Sequence, residues 1–364
     1  MTRAEGVASG TTRLRDAGIP PTDARAEAAL LLRYVAGIAR EELFLRPDLP
    51  LASETCIRYD ATITRRAARE PLAYITGTRD FYGIPFVVTP AVLIPRPETE
   101  GVVDAVLATV YPPSFGCPLT PAGTLWVGRP LSARGDTAKG LTVTIDAPPP
   151  ATARLREVSP LADNGRPTQR VPAGVRGQLT AGGQLNGEQT VLDLCTGSGA
   201  IAVAVAVCAP NARVTATDIS DAALAVARIN ADRHGVAGRV TFLVGDLFAP
   251  IAPGARFAVV AANPPYIAPD VIETLEPEVR FEPRIALGVH ADALFFYRRI
   301  AAEAGAFLLP GGRVVVEVGQ GQADAVCDLF RRAGFAGVET LADLSGILRV
   351  VVASGYNGAT QSNT

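Results

Sequence analysis

From residue 188 onward, seven apolar runs fit for strands are separated by stretches of helical period or polar loop, and this alternation constrains the fold more than any other feature. TVLDLC reads as a strand, AIAVAVAVCA as a helix, RVTATD as a strand, DAALAVARINADRHG as a helix, RVTFLVGD and FAVVAANPPY as strands. After a polar loop come a helix near 291–306, the strand RVVVEVG, the helix QADAVCDLFRRAG, and two closing strands around 337–341 and 347–353. Strands this apolar need cover on both faces, and interleaved helices supply it. The pattern predicts an α/β fold built on a mostly parallel, doubly wound, seven-stranded sheet, with ligands at the carboxyl ends of the strands.

The chain ahead of this unit reads differently. From about 11 to 70 it is helical: ARAEAALLLRYVAG puts Ala28, Leu31, Leu32 and Val35 on one face, with Asp23 as cap and Gly37 as stop, and a second helix runs from an N-cap at Ser53 to Pro71. DFYGIPFVVTPAVLIP reads as two short strands around a turn, with Phe86 and Val88 alternating. In PRPETEGVVDAVLATV, Pro97 suits a first helical turn and Glu98 and Glu100 suit the positive end of a helix. Residues 113–187 are rich in Pro and Gly and have no sustained period, which is unusual inside a compact domain. The expected domains are a helical unit over 1–80, a hairpin and connecting helix over 81–112, an insertion over 113–187, the α/β domain over 188–354 and a disordered tail over 355–364.

Composition narrows the class. With 364 residues, 48% hydrophobic and 19% charged, the chain can bury substantial cores. No run approaches the roughly 18 apolar residues that cross a bilayer, and MTRAEGVASG lacks the apolar stretch of a signal peptide, so a cytoplasmic protein without membrane association is expected. Five cysteines without a C-x-x-C pair and only two histidines, His234 and His290, argue against a metal site. A net charge of -2 argues against stable nucleic-acid binding. A monomer is expected.

The strand ends carry the candidate chemistry. DLCTGSGA joins the first strand of the α/β unit to a helix: Gly197 and Gly199 allow a tight turn close to a ligand, and Asp193 places a carboxylate beside it. Asp218 ends the second strand, where an acidic residue can take both hydroxyls of a ribose, and Asp246 ends the third, where it can accept from an adenine amino group. The fourth strand stops at Asn263-Pro264-Pro265-Tyr266, because two prolines cannot continue a central strand. That stiff turn presents acceptors and an aromatic ring, which suits a substrate offering an NH2 group. Four such features at successive strand ends describe a pocket for an adenosine-containing cofactor. No Walker G-K-[ST] follows the glycines, and the turn is not G-x-G-x-x-G.

DLCTGSG, the acids ending the next two strands and NPPY together resemble the S-adenosylmethionine-dependent methyltransferases that modify planar amino groups. REPLAYITGTRDFYGIPFVVTPAVLIPRPETE, NPPYI, VRFEPRIAL and DLSGILRVV resemble, more specifically, the peptide chain release factor glutamine methyltransferases. The resemblance covers roughly residues 11–112 and 188–353. It implies a Rossmann-like class I methyltransferase domain behind a small helical N-terminal domain and β-hairpin, S-adenosylmethionine as cofactor, release factors as partners, and the Gln amide of a Gly-Gly-Gln loop as acceptor. It implies cofactor contacts from Asp193, Cys195, Thr196, Gly197, Ser198, Gly199, Asp218, Asp246, Leu247 and Asn263. It implies catalysis by Asn263, Pro264 and Tyr266, and substrate binding by these with Pro265, Arg96 and Glu98. For Arg96 and Glu98 a second reading stands beside this one, that they only fix the helix start.

Several positions depart from the family pattern. Cys195 stands where the family often has glycine, Leu247 where an aromatic is common, and Val289 and Ala293 alter Gly-Gly-x-Asp-Gly-Leu. A ribosomal protein glutamine and a nucleic-acid amino group remain alternative acceptors. The insertion contains Gly182-Gly183-Gln184, the tripeptide this family methylates, which a glycine-rich stretch produces readily by accident. His234 and His290 read as solvated helix-flanking residues.

Overall fold

The computed structural model describes residues 1–110 and 189–357; the insertion with its Gly182-Gly183-Gln184 and the last seven residues lie outside them. The chain opens with five helices: α1 (Arg3–Asp16), α2 (Pro21–Ala36), α3 (Arg40–Leu45), α4 (Ser53–Ala67) and α5 (Leu72–Thr76). Leu14, Leu31, Leu32 and Ile63 form the buried centre of this layer, with the face of α2 as its period predicts. Its caps differ from expectation. Pro20 precedes α2 and Asp23 sits within its first turn, while Ser53 is the first helical residue of α4 and caps nothing. α4 ends at Ala67, ahead of Pro71, and Gly37 does take the left-handed conformation that stops α2 (φ 65°).

A hairpin follows, with β1 (Thr78–Phe81) paired antiparallel to β2 (Ile84–Val87). It therefore begins before residue 81. Its two-residue turn, Tyr82-Gly83, has positive φ at both positions (51° and 75°), the backbone that matches strand twist. Phe81 and Phe86 are buried edge to face. The chain then enters α6 (Glu100–Val110), and Glu100 accepts from the Tyr82 backbone N–H at 2.9 Å.

The α/β layer comprises β3 (Gln189–Leu194), α7 (Ala200–Cys208), β4 (Ala212–Asp218), α8 (Asp221–Arg233), β5 (Val240–Val244), β6 (Phe257–Ala262), α9 (Pro269–Ile272), α10 (Arg284–Leu287), α11 (Phe295–Glu303), β7 (Leu308–Glu317), α12 (Ala323–Arg332), β8 (Phe335–Ala342) and β9 (Leu348–Tyr356). The strand order is β5-β4-β3-β6-β7-β9-β8, parallel except where β9 pairs with β7 and β8. Side chains alternate across the sheet: Val191, Val259 and Val315 join the core under α6 and α7, whereas Leu192, Val260 and Val316 join the one under α11 and α12. β9 continues past residue 354, because Phe335 pairs with Tyr356 across the sheet edge and their rings lie 5.1 Å apart. Residues 355 and 356, expected in the tail, are thus part of β9.

One buried polar side chain joins the hairpin to the α/β layer. Asn230 of α8 is fully buried; its Oδ1 accepts from the Val87 N–H at 2.7 Å, and its Nδ2 donates to the carbonyls of Val87 (3.0 Å) and Ser198 (2.9 Å). It serves β2 as a neighbouring strand would, and it anchors the glycine turn from below. His234 adds to the same contact through the Pro85 carbonyl at 2.9 Å and the Phe86 ring, so it is not simply solvated. Asn230→Ala strands one N–H and two carbonyls in the interior and is expected to cost about 3 kcal/mol. Urea unfolding of the variant checks this, and an unchanged midpoint contradicts it.

Candidate active site

The carboxyl ends of β3, β4, β5 and β6 meet on either side of the point where strand order reverses, and they border a cavity of ≈ 300 Å³. The turn after β3 supplies its floor. Cys195 (φ 55°), Gly197 (56°) and Gly199 (79°) all take left-handed backbone. A Cβ at Gly199 would lie 3.1 Å from the Ala227 Cβ, so this glycine allows α7 and α8 to approach. A Cβ at Gly197 would meet no protein atom within 4 Å, and Gly197 is on the cavity wall. Cys195 holds the same backbone region with a side chain, a conformation that disfavours every residue except glycine.

Asp218 braces this turn from β4. One carboxylate oxygen accepts from the Gly197 N–H at 2.8 Å and the other from the Ser220 N–H at 2.9 Å, and the group lines the cavity with its pKa raised chiefly by burial. Asp193 does not face the cavity. It is fully buried beneath the turn, with Oδ2 accepting from the Thr196 hydroxyl at 2.5 Å and from the Ala202 N–H at 3.2 Å, and Oδ1 unpartnered. Thr196, Ser198 and Gly199 are also off the lining. Of the expected cofactor turn, Cys195 and Gly197 reach the cavity and the others hold its shape. The side chain at 193 points to the α6 and α7 face because it alternates with Leu192 and Leu194.

Asp246 and Leu247 line the cavity beyond β5. The sequence suggests Asp246 as an acceptor for an amino group, but both its oxygens accept from the Arg299 Nη1 of α11, at 2.9 and 2.8 Å. Arg299 also lies over the Phe295 ring, 5.8 Å from its centroid. His290 stacks on Phe295 at 3.7 Å and lines the cavity, so it is a wall residue and not a solvated one.

On the substrate side, β6 ends at Ala262 and Asn263 leads the proline turn. Asn263 and Pro265 line the cavity; Pro264 is buried. The Asn263 Nδ2 donates to the Thr99 hydroxyl at 3.0 Å, which leaves its Oδ1 for the cavity. Tyr266 is not on the lining: its hydroxyl donates to Glu317 at 3.0 Å and its carbonyl accepts from Gln322 at 3.1 Å. Arg96 and Glu98 are also off it. Arg96 pairs with Glu282, which is buried and accepts from the Ile94 N–H at 3.0 Å. VRFEPRIAL thus pins the chain segment ahead of α6 through Glu282, and Glu278, just before this motif, binds Arg66 and Arg69 of the helical layer, both at 2.8 Å. Thr99, Glu282, Arg299 and Glu317 are not among the site residues that the sequence suggests, although Thr99 lies in IPRPETE and Glu282 in VRFEPRIAL. Among the described residues, no cluster of His, Cys, Asp and Glu could hold a metal, and no helix is long and apolar enough to cross a membrane.

Comparison with known proteins settles the family. Residues 5–77 match the PrmC N-terminal domain and residues 181–275 the methyltransferase small domain. The chain is 38% identical over 333 residues to the release factor glutamine methyltransferase of Burkholderia pseudomallei (90% of this chain, 91% of the relative). It is 36% identical over 330 residues to that of Geobacter sulfurreducens (90% and 89%). The chain belongs to the release factor glutamine methyltransferase family. A solved protein-(glutamine-N5) methyltransferase (release factor-specific) from Alicyclobacillus acidocaldarius is 33% identical, covering 46% of this chain and 80% of its own with a TM-score of 0.28.

In this methyltransferase, burial raises the Asp193 pKa to about 7, against the hydrogen bonds from Thr196 and Ala202 that favour the charged form. An acid whose pKa is higher folded than unfolded binds more protons in the native state between the two values, so its contribution to stability falls as pH rises through that window. The cofactor-free protein is therefore expected to lose stability relative to Asp193→Asn between about pH 5 and pH 8, where an unfolded Asp is already ionised. Denaturant midpoints of both proteins at the two pH values check this; parallel changes contradict it.

Proposed function

We propose that the protein transfers a methyl group from S-adenosylmethionine to the side-chain amide nitrogen of the glutamine in the Gly-Gly-Gln motif of peptide chain release factors. The single observation that carries this reading is the Asn263 amide, whose NH2 is committed to Thr99 while its oxygen is left for the cavity. A site that presents acceptors selects an acceptor-seeking substrate, and a glutamine side chain brings two N–H donors. For Asn263 to turn its own NH2 toward the substrate, the Thr99 hydroxyl would have to donate to the Asn263 oxygen instead of accepting from its NH2.

The residues present fit the cofactor. Gly197 offers an open wall where no side chain intrudes, Asp218 offers a carboxylate beside it for ribose hydroxyls, and the surrounding surface is mainly apolar. When bound, S-adenosylmethionine supplies an electrophilic methyl group on a sulfonium. Cys195, Gly197, Asp218, Leu247 and Asn263 would hold it, with Asp193 and Thr196 keeping the turn in shape. Because Asp246 is already paired with Arg299, its oxygens have to be shared if they also accept from an adenine amino group.

An amide nitrogen is a weak nucleophile, since its lone pair is delocalised into the carbonyl. What this chain can contribute is orientation. The Asn263 Oδ1 and the Pro264 carbonyl accept the two N–H bonds and aim the nitrogen, an effect worth roughly 7–11 kcal/mol in favourable systems. Tyr266 backs this turn, its ring position set by the bond to Glu317. Glutamate in place of the substrate glutamine would set acceptors against acceptors, at roughly 1–3 kcal/mol for each buried group left unpaired.

Asn263→Ala is expected to lower kcat roughly 100-fold or more, the scale of misplacing a reacting group, while cofactor affinity falls only modestly. Steady-state methyl transfer to a purified release factor, with calorimetric titration of the cofactor, tests both halves. Equal loss of the two would contradict the assigned role.

A further inference from the structure

Behind the Asn263 contact stands a carboxyl that touches both Tyr266 and the neighbourhood of Thr99. Glu317, the last residue of β7, is 1% exposed, and its carboxyl lies behind the proline turn. Its Oε1 accepts from the Tyr266 hydroxyl at 3.0 Å. Its Oε2 is buried without a donor in hydrogen-bond geometry, although the Thr99 hydroxyl stands close enough to favour the charged form. Thr99 is itself 4% exposed and accepts from Asn263. A hydroxyl that accepts from an amide must send its own proton elsewhere, and the carboxyl of Glu317 is the acceptor at hand.

We infer that Glu317 is a positioning residue of the transfer reaction: through the Thr99 hydroxyl it fixes which end of the Asn263 amide faces the substrate, and through the Tyr266 hydroxyl it fixes the ring behind it. The inference rests on the function proposed above. Ionised, Glu317 can only accept. The Thr99 proton then points to it, the Thr99 lone pair meets the Asn263 NH2, and the Asn263 oxygen is presented to the cavity. Protonated, Glu317 gains a donor that competes for the same hydroxyl. Thr99 can then donate to Asn263, and the amide that results from a half-turn offers an NH2 to a substrate that also brings donors.

The surroundings put this change in a useful range. Burial raises the Glu317 pKa to about 7, with Glu98 adding to the rise and Tyr266, Thr99 and Arg349 of β9 opposing it. The other groups facing it are Arg96, which acts on Tyr266, and Tyr297 of α11, whose hydroxyl donates to the Glu317 carbonyl at 2.9 Å. Activity should rise with pH as Glu317 loses its proton.

The test compares the full-length wild type, Thr99→Val, Thr99→Ser, Glu317→Gln and Asn263→Ala on a purified release factor. It measures kcat and KM across pH, thermal midpoints, and release factor binding to enzyme saturated with S-adenosylhomocysteine. Thr99→Val is expected to lower kcat about ten-fold, the equivalent of one transition-state hydrogen bond, and to weaken release factor binding, with its thermal midpoint near wild type. Thr99→Ser should recover most of the loss. The acid limb of wild-type kcat should end near pH 7, as the Glu317 value sets it, and should be missing from Thr99→Val and Glu317→Gln. A Thr99→Val enzyme within about two-fold of wild type and with the acid limb intact would overturn the inference. So would loss of kcat, thermal midpoint and cofactor affinity together without recovery in Thr99→Ser. A wild type that methylates while Thr99→Val is indifferent removes this inference alone; a wild type that transfers nothing removes the proposed function with it.

Discussion

The hydrogen bond from Asn263 to Thr99, 3.0 Å long and spanning 164 residues of sequence, is the contact around which the candidate site is arranged. It joins the turn that opens α6 to the end of β6, two parts of the chain that the insertion separates. α6 does not depend on that one bond for its place, since Val102, Val103 and Val106 are fully buried against the sheet. The segment before it is also pinned at Ile94 and Arg96 by Glu282. What the bond records is the direction of the amide, with its NH2 given to Thr99. In the proposed function direction matters because a methyl-accepting nitrogen brings donors, so Asn263 would serve by presenting its oxygen.

Two buried carboxyls flank this arrangement and have unlike tasks. Asp193 sits below the glycine turn and holds its shape through Thr196 and Ala202, without reaching the cavity. Glu317 sits behind the proline turn, accepts from the Tyr266 hydroxyl and stands beside Thr99, the partner of the cavity-lining Asn263. Each has one oxygen without a partner, and burial lifts both pKa values to about 7. Such groups cost stability near neutral pH. They are tolerated where their bonding directions matter more than their burial.

The sheet was legible because buried parallel strands are continuous apolar runs, and because glycines and prolines punctuate them where the chain must turn. α1 was only partly legible. Its buried face is Arg3, Gly6, Gly10 and Leu14, which offers little apolar period, and Gly10 is required because a Cβ there would lie 2.2 Å from the Tyr59 hydroxyl. The polar ties were not legible at all. Asn230, Thr99, Glu317 and Arg299 each act on a residue 51 to 164 positions away, and although Thr99 lies within IPRPETE, nothing local marks which partner any of them has. Sequence could name Asp193 and Tyr266 as residues of the turns, but only the pleat of β3 and the position of Glu317 decide that both face away from the cavity.

The central claim is that acceptors at the end of β6 select an amide nitrogen on a release factor. The most direct measurement is transfer of a labelled methyl group from S-adenosylmethionine to a purified release factor and to the same factor with Gln→Glu in its Gly-Gly-Gln motif, with the modified residue located by peptide mass spectrometry. The account predicts label on the glutamine of the unaltered factor and none on the glutamate form. Label on both, or on the unaltered factor at any other residue, would contradict it.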